Sequence, residues 1–133
     1  MTVVEAARLA SFGMVVLIWL VQLIIYPSFV DVLPERFVAW HDRYTRVVQW
    51  LVGPLMLGQT ISLGWLLATR PTALNVLACI SALIAVCVTG AISVPMHQQL
   101  HANGADPLTI ARLIRSNWIR TIGWTLSFVF LLV

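Results

Sequence analysis

Four long apolar segments constrain this chain more than any other feature: Leu9 to Tyr26, Val47 to Leu67, Ala73 to Val94 and Ile119 to Val133. At 1.5 Å per residue a helix needs about 20 residues to cross roughly 30 Å of hydrocarbon. The middle two segments meet that length outright. The first does so once Val3, Val4, Ala6 and Ala7 extend it backwards, and the fourth if its helix starts upstream, with Arg120 snorkelling outward to headgroup level. A membrane barrel would instead show alternating strands of about 10 residues, which are absent. The expectation is an all-α, integral membrane, four-transmembrane-helix bundle forming a single domain over residues 1–133, with spans at about 5–27, 46–69, 72–95 and 114–133.

Composition agrees. The chain is 60% hydrophobic and 10% charged, against about 45–50% and about 25% in an average soluble domain. Its length leaves no room for a catalytic domain beside a membrane anchor, so its activity is expected in or at the bilayer. Net charge is +3, but all eight basic residues are scattered arginines, which gives no nucleic-acid patch. The first segment reads as a retained helix rather than a cleaved signal: Glu5 sits in its n-region and no small-residue cleavage site precedes the polar stretch from Asp31 to Arg36.

Arginine placement orients the bundle. Arg36, Arg43 and Arg46 follow the first span and Arg112, Arg115 and Arg120 precede or open the fourth, whereas the opposite face holds Arg8 and Arg70. The positive-inside rule then puts both long connections in the cytoplasm and both termini on the non-cytoplasmic side. Local signals mark the turns. Pro27 and Pro34 bracket the exit from the first helix, Arg70-Pro71 makes a tight turn, Asn103-Gly104 is a stop, and Asp106-Pro107 pairs an N-cap with a proline at the first helical position. Gly53 and Pro54 should bend the second helix, and Pro95 the end of the third unless the chain restarts there.

Lipid offers no hydrophobic reward for helix association, so small residues must permit close packing. Ser81, Ala85, Thr89 and Ser93 form such a stripe, with Gly123 and Ser127 as a shorter one. A contact within the bundle is favoured over a homo-oligomeric one. Cys79 and Cys87, eight residues apart on one helix, cannot bridge each other and read as small buried hydrophobes.

Polar residues gather near one predicted interface: His41, Asp42, Tyr44 and Arg46; then His97 and His101; then Arg112, Arg115, Asn117, Trp118 and Arg120. Polar side chains at one depth of a small bundle imply a shared ligand pocket. Arg36, Arg43, Trp40 and Trp50 read more simply as headgroup anchors. His97 and His101, four apart on a helix, are placed to chelate one metal with His41 as a third ligand, and one of these histidines is a candidate haem ligand. The favoured reading has no cofactor, with the histidines bonded to Asn or backbone. Asp42 and Arg46 form a helix-stabilising pair. Gln22, Gln49, Gln59 and Asn75 require interhelical hydrogen bonds, and Gln22, Tyr26, Gln49, Tyr44 and Trp118 are candidate substrate contacts.

The stretches YPSF (26–29), VQWLVGPLM (48–56), VPMHQQL (94–100) and SNWIRTIGW (116–124) resemble the small four-helix bacterial membrane proteins grouped with the anthrone oxygenases. In that family the third helix ends in a Val-Pro-Leu-Asn sequence and the fourth carries Asn-x-x-Arg. The resemblance sets His97 at the Asn position and matches Asn117 and Arg120 to the second element. It implies a multi-pass protein of the bacterial inner membrane, and an oxidation of fused-ring anthrones by molecular oxygen without metal or flavin. Histidine at position 97 would suit a base that removes an acidic C–H or phenolic proton.

Two classes of function follow. In one, the pocket binds an apolar, aromatic or quinone-like molecule, with His97 or His41 accepting a proton and Arg120 and Asn117 stabilising an oxyanion. In the other, the chain is a non-catalytic oligomeric scaffold or accessory subunit. The expected partners are the lipid bilayer and a hydrophobic small molecule, and no nucleic acid.

Overall fold

A computed structural model describes residues 1–133. The chain forms four helices: α1 (Val3–Asp31), α2 (Pro34–Thr69), α3 (Ala73–Asn103) and α4 (Pro107–Leu132). Each packs on its neighbours in chain order and α4 closes against α1, so the four stand at the corners of an up-down-up-down bundle. Arg8 Nε donates to the Leu131 carbonyl at 2.7 Å, which ties the first helix to the last at the end that holds both termini.

The termini of these helices follow from their capping residues. The Thr2 side chain accepts from Glu5 N while Glu5 accepts from Thr2 N, a capping box. Thr72 caps α3 through Asn75 N, and Asp106 caps α4 by accepting from the hydroxyl and N–H of Thr109. Those two bonds, the side-chain one first, hold the Asp106 carboxyl below its usual range. The cap therefore stabilises fully at neutral pH and weakens as acid protonates it. Gly104 ends α3 with φ of +79°, a backbone conformation that suits glycine.

Helix extends further than the apolar segments do. The stretch from Pro34 to Arg46, expected as a connection, is continuous with the second span; at 36 residues α2 is about 54 Å long. Residues 96–103 likewise continue α3. Tertiary packing of Phe37 and Leu100, both fully buried, holds these extensions helical.

Pro27, Pro54 and Pro95 all fall within the long helices. Pro54 lies inside α2. Pro27 and Pro95, which cannot donate to the carbonyl four residues back, are each preceded by a π turn, at Val21–Ile25 and Thr89–Ser93. Each turn closes with a five-residue bond, Tyr26 N to Val21 O and Val94 N to Thr89 O. The extra residue re-aims the side chains that follow.

The bundle buries polar groups among its apolar core and leaves large apolar side chains on its outside. Its outer faces carry Leu9, Phe12, Leu57, Ile61, Trp65 and Leu83, each more than half exposed, whereas Ser11, Gln59, Asn117, Thr121 and Ser127 are fully buried. Three helices, α1 to α3, are long and apolar enough to cross a membrane. The fourth is less apolar, with Arg112, Arg115, Asn117 and Arg120 in its first half, and of these Asn117 and Arg120 lie in the interior. Arg120 is 6% exposed and does not snorkel outward as expected.

The small-residue stripe falls inside the chain. A Cβ on Gly123 would lie 2.9 Å from Ser81 O and 3.2 Å from Ala85 Cβ, so α3 and α4 meet backbone to side chain here. Gln59 Nε2 donates to Ser11 Oγ at 3.0 Å, joining α2 to α1 as expected. Asn75 instead bonds the Arg70 carbonyl in its own turn, and Gln49 is exposed with no interhelical bond. The cysteines are free, but Cys87 is exposed rather than buried and Cys79 is partly so.

Because backbone cannot yield as a flexible side chain can, Gly123→Ala should destabilise the bundle by about 1–3 kcal/mol. Gly64→Ala, where nothing lies within 4 Å, should be neutral or stabilising. Thermal unfolding of the two variants in the same detergent reads the difference.

Candidate functional site

At the end of the bundle opposite the termini, α1, α2 and α3 splay around a recess of about 440 Å³. Val21 and Tyr26 line it from α1; His41, Asp42, Tyr44, Thr45, Val48, Gln49 and Val52 from α2; and Thr89, Ser93, Val94, His97, Gln98 and His101 from α3. Helix α4 contributes one side chain, Arg120. The volume lies in the range of about 300–1,000 Å³ typical of small-molecule sites.

The two π turns place the key groups. The first sets Gln22 and Tyr26 toward the interior, and the second does the same for Ser93 and His97. The result is one hydrogen-bonded chain across all four helices. Arg120 Nη1 donates to Asn117 Oδ1 at 2.9 Å and to Tyr26 Oη and Ser93 Oγ at 3.3 Å each. Tyr26 Oη lies 3.0 Å from His97 Nε2, and His97 Nδ1 lies 2.9 Å from His41 Nε2. On the other side Asn117 Nδ2 donates to Gln22 Oε1 at 2.9 Å, and Gln22 Nε2 donates to the Ile114 carbonyl at 3.3 Å.

Arginine sets the direction of this chain because it only donates. Tyr26 Oη accepts from Arg120 and is left to donate its own proton to His97 Nε2. The neutral His97 ring then carries its hydrogen on Nδ1 and donates to His41 Nε2. His41 in turn carries its hydrogen on Nδ1, which is buried without a partner. Proton positions run one way, from guanidinium through phenol to the two imidazoles.

Aromatic rings hold the imidazoles in place. His41 stacks on Phe37 at 5.4 Å between centroids and 15° between planes. Phe29 sits edge-on to Tyr26, Trp40, His41 and Tyr44 at 5.3 to 5.6 Å. Both phenylalanines are fully buried. Across the site the Arg120 guanidinium lies 5.1 Å from the Trp124 ring centroid, a favourable cation–π placement.

Of the expected site residues, His41, His97, Arg120, Tyr26, Tyr44 and Gln49 reach the recess. Asn117 and Gln22 do not line it; they stand behind Arg120 and position it. Trp118 points away, exposed, against Trp19 at 5.7 Å. Trp40, expected as a headgroup anchor, stacks on Tyr44 at 5.8 Å, whereas Trp50 is 76% exposed. The histidines bond to each other and to Tyr26 rather than to Asn or backbone. Both His97 nitrogens are engaged, so a metal ligand at His97 would have to break one of these bonds, and no three His, Cys, Asp or Glu side chains group as a ligand set. His101 lines the recess without joining the chain. The Asp42–Arg46 pair is present on α2, with Asp42 at the wall of the recess and Arg46 exposed.

Phe29, Phe37, Ser93 and Trp124 belong to the site and were not anticipated in it. Two signals bear on them: Phe37 and His41, like Arg120 and Trp124, are four apart and so share a helix face. Comparison of the chain with protein-family models, with curated proteins and with solved structures finds no match.

Removing Asn117 leaves Arg120 and Gln22 each one partner short in the interior. Asn117→Ala should therefore cost about 1–3 kcal/mol of stability, while Gln49→Ala, on an exposed wall, should cost little. Histidine-selective 15N NMR should find both His41 and His97 as Nδ1–H tautomers, and Tyr26→Phe should remove that preference at His97.

Proposed function

We propose that this chain is a small integral membrane protein whose recess binds an apolar, aromatic or quinone-like small molecule. Three helices of sufficient length and apolarity support the membrane placement. The fourth fits the same setting because it turns Asn117, Arg120 and Thr121 inward and Ile122, Leu126 and Val129 outward. Arg36, Arg43, Arg46, Arg112 and Arg115 are all exposed at the recess end, which favours that end as cytoplasmic in a bacterial inner membrane and both termini as outside.

One observation carries the ligand reading: a guanidinium, a phenol and two imidazoles from four helices converge on a recess with apolar walls at Val21, Val48, Val52 and Val94. A structural bundle has no need of such a convergence, since burying these groups costs free energy that apolar packing would avoid. In the catalytic form of this reading an acidic C–H or phenol of the ligand gives its proton to Tyr26 Oη as Tyr26 passes its own to His97 Nε2, and His97 shares the charge with His41 through Nδ1–H. Arg120 stabilises the oxyanion that results, and Asn117 holds Arg120. As in the resemblance to the anthrone oxygenases, one atom of dioxygen would then become the carbonyl oxygen at the ligand's CH2, and the other would leave as water with that carbon's two hydrogens.

Purified protein should carry extractable lipophilic molecules and should gain thermal stability with added quinones or anthrones. At a ligand concentration 100-fold above Kd the gain corresponds to about 2.7 kcal/mol. His97→Ala and Arg120→Ala should lose that gain while keeping the oligomeric state of the wild type. A preparation with no bound molecule and no response to any of these compounds counts against the proposal, and variants that lose assembly instead favour a scaffold.

A further inference from the structure

The charge on Arg120 has no counterpart in the protein. The guanidinium is 6% exposed, yet every atom it donates to is neutral: the Tyr26 phenol, the Ser93 hydroxyl and the Asn117 amide. Only Nη1 is engaged, and Nε is buried without a partner. The chain has five acidic residues, Glu5, Asp31, Glu35, Asp42 and Asp106. Of these, Asp42 alone lines the recess, and its carboxylate is paired with Arg46 on its own helix. Glu5 is tied to its own helix terminus and Asp106 to Thr109.

A buried cation without a countercharge is costly, and the usual remedies are an anion or ionised hydrogen-bond partners. The Trp124 ring offsets part of that cost from one side. The other side opens onto the recess, whose one carboxylate, Asp42, is already paired with Arg46. The two imidazoles on the opposite wall, His41 and His97, offer no negative charge in any protonation state, and neither do the Tyr26 and Tyr44 phenols in their neutral forms.

From this geometry we infer that the recess selects a ligand carrying an anionic oxygen, which docks against Arg120 while its apolar body lies along the valine walls. The inference rests on the ligand-binding reading above and narrows it to one chemical class. Enolate, carboxylate and phosphate oxygens share this chemistry, and each would form charge-assisted bonds with the free edge of the guanidinium.

Matched pairs of compounds test it on the full-length protein in a neutral detergent. Each pair keeps the apolar body and changes only the charge: 2-hydroxy-1,4-naphthoquinone, ionised at neutral pH, against its methyl ether; dodecanoate against dodecanamide; and dodecyl phosphate against dodecanol. Binding is read by quenching of tryptophan fluorescence and by thermal shift. At least one anion should bind about tenfold more tightly than its neutral partner, the factor that roughly 1.4 kcal/mol produces. Which pair discriminates identifies the source of the oxygen. Arg120→Gln should abolish the discrimination and Arg120→Lys should restore part of it.

Neutral compounds that bind as well as their anions overturn the charge inference and leave the ligand-binding reading standing. Absence of binding by every compound overturns both. Discrimination that survives in a folded Arg120→Gln protein overturns the role assigned to Arg120, and should that variant not fold, the wild-type pairs still decide the question of charge.

Discussion

The interior of this bundle must satisfy its own polar groups, because its outer surface offers them nothing. Leucine, isoleucine, phenylalanine and tryptophan side chains cover much of the outside, and Ser11, Gln22, Gln59, Ser93, Asn117, Arg120 and Ser127 are turned inward. In such surroundings an unpaired donor or acceptor costs far more than the small net gain of a bond exposed to water. The chain from Gln22 through Asn117, Arg120, Tyr26 and His97 to His41 is the principal answer to that constraint. It also joins all four helices, so the network that satisfies the interior is the one that fixes their register.

Helix irregularity makes this network possible. A regular α-helix ahead of Pro27 or Pro95 would leave a carbonyl unpaired and drive it into the proline ring. The π turns at Val21–Ile25 and Thr89–Ser93 relieve both conflicts. They also bring Gln22 and Tyr26 on one helix, and Ser93 and His97 on another, to the same corner of the bundle. Two prolines that look like simple breaks therefore govern where the chemistry of the molecule sits.

Close packing is segregated from that chemistry. Gly123 against Ser81 and Ala85 clamps α3 to α4, while the recess lies among side chains at the other end. Phe29 and Phe37 fill the rest of that end and keep the imidazole planes fixed. Rigid backbone contact at one level and aromatic buttressing at another border the recess, to which α4 contributes Arg120 alone.

Periodicity, length and turn chemistry made much of this legible in the amino-acid order. The all-α fold, the four helices, the caps at Asp106 and Gly104, the inward stripe of small residues and the convergence of His41, His97, Tyr26 and Arg120 all depend on local spacing or on residues gathered at one depth, which a linear reading captures. Where it erred, the deciding contacts were between helices. Residues 34–46 extend α2 because Phe37 and His41 find partners on Phe29 and His97; Arg120 turns inward because Asn117, Tyr26 and Trp124 receive it; Asn117 and Gln22 lie behind the recess rather than on its wall because Asn117 bonds Gln22 and Arg120 while Gln22 donates to the Ile114 carbonyl. Amino-acid order decides which segments are helical and apolar, since propensity and hydropathy are properties of neighbours along the chain. The direction in which a buried polar group points is decided by which partners lie within hydrogen-bond reach, and only the packed bundle brings those partners together.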